Sequence, residues 1–334
     1  MKVCIPGPNQ GIGGPNSFKR NFIKQLTSLG IDVDTGFSTA DIDVVLLVGG
    51  TRNIKWLKKI RRSKIPIVQR LGPINWLHKY TPITSKHKWM SIARNSLLSK
   101  IRENFADFVV YQSQFCKNWW TEVRGPDKND NVVIYNGVDT TMFNPGPRRA
   151  PGSKVRLVSV EGNLSYTPQV YKTPLQVTDL LNSAGLDVEL TLVGDINKEG
   201  LDEIYLHDRT EYLGNIPHSD VRDILINHDL FVSGEIHPAC PNSPLEAMAC
   251  GLPVVGFDTG ALSELLIDNS GLCAAYESNA WKLESPNMDN LVNAVLKVTN
   301  DISYYSDNAL ANIQNNFTLG NMTNEYVKVF QTVI

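Results

Sequence analysis

Short, nearly continuous apolar runs alternate with longer stretches of mixed polarity along the whole chain. In the first half these runs are Val3-Cys-Ile, Asp43-Val-Val-Leu-Leu-Val, Ile67-Val, Phe108-Val-Val and Val132-Val-Ile. In the second half they are Leu157-Val-Ser-Val, Val188 to Val193, Leu230-Phe-Val, Val254-Val and Leu272-Cys-Ala-Ala. They are too short for helices and lack a polar residue at every second position, as expected of strands buried on both faces. Helical patterns lie between them, for instance Phe18 to Leu29 and Trp89 to Asn104. This alternation predicts an α/β chain built on parallel sheets. The run Asn144-Pro-Gly-Pro-Arg-Arg-Ala-Pro-Gly-Ser153 supports neither a helix nor a central strand, so it is expected to link two such domains, residues 1–148 and 153–318. Doubly wound domains bind ligands at the carboxyl ends of their strands, so the site is expected in a cleft between the two.

At 334 residues, with 42% hydrophobic and 20% charged residues, the chain is long enough for two cores and has the composition of an ordinary soluble protein. This argues against disorder. The net charge of -2 hides a division. Residues 1–150 hold 23 Lys and Arg against 10 Asp and Glu, whereas the remainder hold 9 against 24. The basic half is expected to meet an anionic partner, a membrane surface or an acidic substrate. Asn53-Ile-Lys-Trp-Leu-Lys-Lys-Ile-Arg-Arg-Ser-Lys64 and Lys86-His-Lys-Trp-Met through Arg102 place apolar residues among bases at near-helical spacing. Each suits either an interfacial helix or a core-facing helix with a solvated basic face. The five cysteines show no Cys-x-x-Cys pair, which fits a reducing cytosol without disulfides or zinc. The first residues hold too short an apolar run for a signal peptide, and no stretch approaches a membrane span, so a peripheral membrane contact is the only kind expected.

The most informative stretch is Pro241-Asn-Ser-Pro-Leu-Glu-Ala-Met-Ala-Cys-Gly-Leu-Pro-Val-Val-Gly-Phe-Asp-Thr-Gly260. Ser243 is a good N-cap, Pro244 suits a first helical position, and Glu246 completes a Ser-x-x-Glu capping box. Gly251 and Pro253 stop the helix before a buried strand. First-turn N–H groups lack intrahelical partners and carry the positive end of the helix dipole, so the start at Asn242, Ser243, Pro244 and Leu245 favours a phosphate. A second anion-binding candidate is the glycine-rich loop Gly7-Pro-Asn-Gln-Gly-Ile-Gly-Gly-Pro-Asn-Ser17, with Asn16 or Ser17 capping the following helix. It lacks the Gly-x-Gly-x-x-Gly spacing of a dinucleotide fingerprint.

The Pro241 to Gly260 stretch, continued to Glu264, resembles the nucleotide-binding signature of retaining glycosyltransferases of family four, which have the GT-B fold. Val133-Ile-Tyr-Asn-Gly-Val-Asp-Thr-Thr-Met-Phe-Asn-Pro145, Val109-Val-Tyr-Gln-Ser-Gln-Phe, Leu192-Val-Gly-Asp and Tyr212-Leu-Gly-Asn-Ile fall in that family's order and spacing. The resemblance implies two facing Rossmann-like, doubly wound domains, with the final helix, about 319–334, crossing back to the first. It implies that Glu246 holds the ribose hydroxyls of a nucleotide-sugar. It also implies that Gly13 and Gly14 lie against the donor phosphates, and that the base is held near Asn215 and Ile216. The family's diphosphate clamp, a Gly-Arg followed about five residues later by Lys, corresponds here to Gly162-Asn163, with no Lys before Lys172. Either Lys172 reaches in or a first-domain base such as Arg70 substitutes. The acidic residue usually found eight positions before the ribose carboxylate is replaced by Pro238, leaving Glu235 and His237 to offer polar atoms to the donor sugar. Arg70 and His78, on the run that follows the Ile67 strand, complete the candidate catalytic set with Glu246 and His237.

The activity implied is transfer of a sugar from a UDP-, GDP- or ADP-linked donor to a glycan or lipid-linked acceptor, with retention and without a metal or other cofactor. The departures at Asn163 and Pro238 keep two alternatives open, a nucleotide-sugar-binding protein that has lost transfer and a sugar-nucleotide epimerase. The Asp-x-Asp pairs Asp32/Asp34 and Asp41/Asp43 are expected to be strand caps rather than metal ligands. No nucleic-acid partner is expected.

Overall fold

In the computed structural model, which describes residues 1–8, 14–81, 84–147 and 154–334, the apolar runs form two six-stranded parallel sheets. The chain divides into two compact units, Met1–Gly137 with Leu319–Ile334, and Val138–Thr318.

The first unit contains β1 (Lys2–Cys4), β2 (Asp32–Asp34), β3 (Val44–Val48), β4 (Ile67–Leu71), β5 (Phe108–Tyr111) and β6 (Asp130–Val133), in the order β2-β1-β3-β4-β5-β6. Its helices are α1 (Gly14–Ser28), α2 (Ile54–Arg62), α3 (Ser85–Asn104) and α4 (Gln114–Arg124). The central strand β4 is buried throughout and β3 at all but its last residue, which is why the apolar run of β3 was legible in the sequence. Trp56, Leu57 and Ile60 of α2 pack with Val45, Leu47 and Ile67, so the apolar face of the 53–64 stretch belongs to the core and only its bases face solvent. Of the two roles open to that stretch, the structure selects the core-facing one. Asp32 and Asp34 lie on the edge strand β2, and Asp34 accepts from Gly36 N at 2.7 Å, an ordinary turn-capping role.

The second unit contains β7 (Lys154–Asn163), β8 (Asp187–Asp195), β9 (Thr210–Gly214), β10 (Leu230–Ser233), β11 (Val254–Phe257) and β12 (Gly271–Ala274). They run in the order β12-β11-β10-β7-β8-β9. This is the doubly wound arrangement in which the winding reverses between the unit's first and fourth strands, β7 and β10, a switch point outside whose carboxyl ends ligands bind. Around the sheet lie α5 (Gln169–Ser183), α6 (Lys198–Ile204), α7 (Val221–Leu225), α8 (Asn242–Ala249), α9 (Leu262–Leu265), α10 (Met288–Thr299) and α11 (Ile302–Asn316).

The last helix, α12 (Leu319–Val333), is part of the first unit: Tyr326 packs on Phe22 with ring centroids 4.9 Å apart, beside Phe18 and Phe330. The division between the units falls at Gly137/Val138, ahead of the expected linker. Residues 138–147 stay with the second unit because Val138 N bonds Phe317 O (2.9 Å) and Arg222 Nη2 holds Asn144 Oδ1 (2.8 Å). Most of the expected linker, residues 148–153, lies outside the described residues, as does Gly13.

Candidate functional site

The switch point of the second sheet gathers polar groups onto the carboxyl ends of β7 and β10. Ser159 and Glu161 alternate onto one face of β7, and Ser233 closes the neighbouring β10. Among the described residues, the Ser159 and Ser233 hydroxyls and Glu161 Oε1 are buried without a hydrogen-bond partner. Glu235 follows β10 by two residues. Burial, together with the fields of Glu235 and Glu246, pushes the Glu161 carboxyl well above its ordinary range. Burial raises Glu235 to about 7. Three acidic side chains thus converge where the family resemblance called for cations, and burial shifts two of them, Glu161 and Glu235, toward the protonated form. A neutral carboxyl is both a hydrogen-bond donor and an acceptor, which suits sugar hydroxyls better than an anionic pair would. Among the described residues no group of three or more His, Cys, Asp or Glu is arranged to hold a metal ion.

Glu246 sits at the rim of this cluster. Helix α8 begins at Asn242 with Pro241 as its cap, and no side chain caps it, so the expected Ser243/Glu246 capping box does not form. The start two residues earlier places Ser243 inside the first turn and Pro244 where its missing N–H costs no bond. Released from capping, the Glu246 carboxylate accepts from the ring of His218: Nε2 lies 2.8 Å from Oε1, and the carboxylate side chain is 12% exposed. His218 opens the short turn after β9 and Pro217, and its ring packs on Phe143 with centroids 5.2 Å apart. Sequence reasoning missed His218, since no fixed spacing links it to Glu246; the only pointer was its place just after Asn215 and Ile216. Asn215 is exposed and Ile216 half-buried just after β9, with Ile216 two residues before His218 in the chain.

The loop between β10 and α8 is held by glycine. Gly260 adopts φ +65°, and a Cβ there would lie 2.5 Å from Pro238 N and 2.6 Å from His237 C. Backbone therefore rests directly on backbone, and Ala261 N bonds Pro238 O at 2.8 Å. His237 itself has φ +53° and stacks on Trp281 with ring centroids 3.8 Å apart. Burial lowers its pKa to about 4, so the ring is neutral at physiological pH and would meet a sugar as a hydrogen-bonding group rather than as a cation.

Several expected site residues sit elsewhere. Lys172 does not reach the switch point: it lies in the first turn of α5, and its Nζ bonds Glu203 Oε2 of α6 at 2.9 Å beside the Tyr171 hydroxyl, which donates to the same carboxylate. Asn163 is exposed at the end of β7 beside Gly162, and its Oδ1 accepts from Ser165 N (2.9 Å), turning the chain away from the sheet. Arg70 is 2% exposed: its guanidinium lies 3.8 Å from the Phe18 ring centroid, and Nη2 donates to Asn136 Oδ1 at 2.7 Å. It fastens the turn after β6 and is closed off from a ligand, so it does not substitute for the missing clamp. His78 is buried in a 3-10 turn, with Nδ1 3.2 Å from Asn75 Oδ1 and its pKa lowered by desolvation and by Lys79 and Lys88. Helix α1 begins at Gly14, with open space around its α-carbon, so Asn16 and Ser17 lie within the helix instead of capping it. An unanticipated cation lies beside this loop. Lys19 is buried, its Nζ donates to Pro6 O at 2.8 Å, and a Cβ on Gly7 would come within 3.4 Å of that Nζ. Desolvation lowers its pKa, with no carboxylate among the causes.

The raised Glu235 has a measurable consequence. A carboxyl whose folded-state pKa lies above its ordinary 4.5 binds more protons when folded, so it lowers stability as pH rises from about 4.5 to about 7. Glu235→Gln keeps the shape and removes the titration. Its melting temperature is expected to exceed that of the parent at pH 8 and to match or fall below it at pH 5; the same difference at both pH values would refute the assignment.

Residues 162–301, most of the second unit, match the family model described as "Glycosyl transferases group 1". One subunit of human phosphatidylinositol N-acetylglucosaminyltransferase is 29% identical over 180 residues, 49% of this chain and 37% of that protein. The D-inositol 3-phosphate glycosyltransferase of Mycobacterium bovis is 25% identical over 174 residues, 48% of this chain and 36% of that protein. The chain thus spans little more than a third of the length of these two relatives. Among solved structures, sucrose-phosphate synthase from Thermosynechococcus elongatus superposes with a TM-score of 0.71 at 16% identity, covering 100% of this chain and 99% of that one. Anabaena HepE in complex with UDP-glucose gives a TM-score of 0.68 at 16% identity, covering 99% and 100%. These likenesses run the length of the chain and assign it the GT-B fold class that the Glu246 run led us to expect.

Proposed function

We propose that this chain, which carries a glycosyl transferases group 1 domain, transfers a sugar from a nucleotide-sugar to an acceptor, with Glu246 holding the donor ribose. The observation that carries the reading is the placement of Glu246: a half-buried carboxylate, oriented by His218, on the helix that follows β10 at the switch point of a doubly wound sheet. A ribose diol can accept one hydrogen bond from His218 while donating to the carboxylate. The diphosphate is proposed to lie against the first-turn N–H groups of α8, near Asn242, Ser243 and Leu245. The base rests on the backbone of Asn215 and Ile216. Glu235 and His237 take the donor sugar, replacing the acidic residue that Pro238 displaces. Transfer is proposed to retain the anomeric configuration, without a metal, the leaving phosphate taking the acceptor's proton.

The acceptor is proposed to be a glycan or lipid-linked molecule reached by the basic first unit, at the cytoplasmic face of a membrane. Support comes from the charge division and from relatives named for phosphatidylinositol and inositol phosphate acceptors. UDP is the first nucleotide to test, because HepE was solved with UDP-glucose.

A second reading, donor binding without transfer, draws on one observation: the lysine nearest the expected clamp is engaged by Glu203, and an exposed asparagine stands at the arginine position. Incubation with UDP-, GDP- and ADP-sugars, with and without a phosphatidylinositol or inositol phosphate acceptor, separates the readings. Acceptor-dependent nucleotide release is expected. Binding without turnover would establish the second reading, and an isomerised sugar the epimerase alternative.

A further inference from the structure

From Val44 to Arg102 the chain runs 59 residues with 14 Lys and Arg and no Asp or Glu. Within that span the structure separates two basic helices that look alike in sequence. Helix α2 buries its tryptophan: Trp56 is 4% exposed and bonded to Ser38 O at 2.9 Å. Helix α3 does the reverse. Trp89 is 72% exposed, Met90 50% and Ile92 37%, and every residue from Thr84 to Met90 faces solvent. Tyr80, just before the helix, is also exposed.

The arrangement around α3 is ordered. At about 100° per residue, Ile92, Trp89, Ala93 and Met90 share an arc of roughly 160°, with Lys86 within it, Lys88 on one flank and Arg94 on the other. The C-terminal half of the helix is fixed: Asn95 Nδ2 donates to Asn75 O at 2.8 Å and Asn75 N donates to Asn95 Oδ1 at 3.1 Å, while Ile101 and Arg102 are buried. Arg102 is further locked to Asp127 at 2.6 Å. A rigid base therefore presents a projecting turn of tryptophan, methionine and lysine. Exposed tryptophan with flanking ammonium groups matches the headgroup region of a bilayer, where the ring lies among the acyl–glycerol boundary and lysine meets lipid phosphate. The absence of any carboxylate in this stretch favours an anionic surface.

We propose that the N-terminal half of α3, through Trp89, Met90 and Ile92 with Lys79, Lys86, Lys88 and Arg94, docks the protein on an anionic lipid bilayer. The inference deepens the reading of a membrane-borne acceptor and rests on it. The whole protein is tested by co-sedimentation with neutral phosphatidylcholine vesicles and with vesicles containing about 30% phosphatidylserine or phosphatidylglycerol. Binding is expected only to the anionic vesicles and is expected to weaken steeply with salt. Trp89→Ala with Met90→Ala, and separately Lys86→Glu with Lys88→Glu, are each expected to weaken it about tenfold or more, while UDP affinity stays within twofold. Equal binding to neutral vesicles, absence of binding to any vesicle, or unaltered binding by both double variants would overturn the proposal. A first unit that prefers a protein partner would give the second of these outcomes. UDP binding measured in parallel keeps the two readings apart: lost vesicle binding with intact UDP affinity strikes the docking surface alone, and intact vesicle binding without UDP affinity strikes the donor site alone.

Discussion

Glu246→Ala is expected to weaken nucleotide binding by about a hundredfold and to abolish measurable transfer, with the melting temperature little changed. The carboxylate is proposed to accept from both ribose hydroxyls, and hydrogen bonds to a charged group contribute about 1.5–3 kcal/mol each. Loss of one to two such bonds is about 3 kcal/mol, or a hundredfold in affinity. The fold should tolerate the change, because alanine is the best helix former and the side chain caps nothing in α8. Glu246→Gln is the sharper variant. It keeps the size and one acceptor oxygen but alters the pairing with His218, so it should fall between the parent and Glu246→Ala. Calorimetric titration of UDP and UDP-glucose measures both, and wild-type affinity in Glu246→Ala for every nucleotide tried would remove the donor site from this position.

The second large effect is expected at Gly260, which has no side chain to offer a ligand. Gly260→Ala puts a methyl group where backbone atoms of His237 and Pro238 lie within 2.6 Å, at a φ of +65° that L-residues rarely adopt. Left-handed strain costs about 1 kcal/mol and overpacking a further 1–3, and no side-chain rotamer can relieve a clash with backbone. At roughly 2–4 °C for each kcal/mol in a unit of this size, a loss of about 4–16 °C in the melting of the second unit is expected. Because the displaced segment carries Glu235 and His237, donor binding should fall as well. A Gly260→Ala variant that melts with the parent would mean that the loop does not rest on this glycine. Gly214 serves as the control. Its φ is also positive, at +70°, but nothing lies within 4 Å of an added Cβ, so Gly214→Ala should cost only the strain.

How far the sequence carries can be judged from particular elements. Central strands such as β10 and β11 are buried end to end, and hydrophobic burial on both faces writes itself into sequence as a nearly unbroken apolar run. The edge strands β2 and β9 are half-exposed, carry no such run and gave no comparable signal. The stop of α8 at Cys250 and Gly251 was legible because a left-handed residue after a helix demands glycine, and Gly251 has φ +86°. Its start was misplaced, since a Ser-x-x-Glu pattern states what side chains can cap and not which residue first turns helical. The expectation for Lys172 failed for a similar reason: a charge at a plausible spacing says nothing about the nearer carboxylate, here Glu203, that will claim it. Arg70 was expected on the run that follows the Ile67 strand, but it lies within β4 and is buried.

By itself, then, the sequence determined the alternation of strand and helix, the two-domain α/β class, the division of charge and the run around Glu246. All of these follow from local burial patterns, backbone constraints or composition, which are properties of residues close in the chain. Packing settled which carboxylates meet, that His218 orients Glu246, that Trp56 turns inward while Trp89 turns out, and that Lys19 is buried while Lys172 pairs with Glu203. Those outcomes depend on segments far apart in sequence being packed side by side, where desolvation and charge act over a few ångströms of space and are blind to sequence distance.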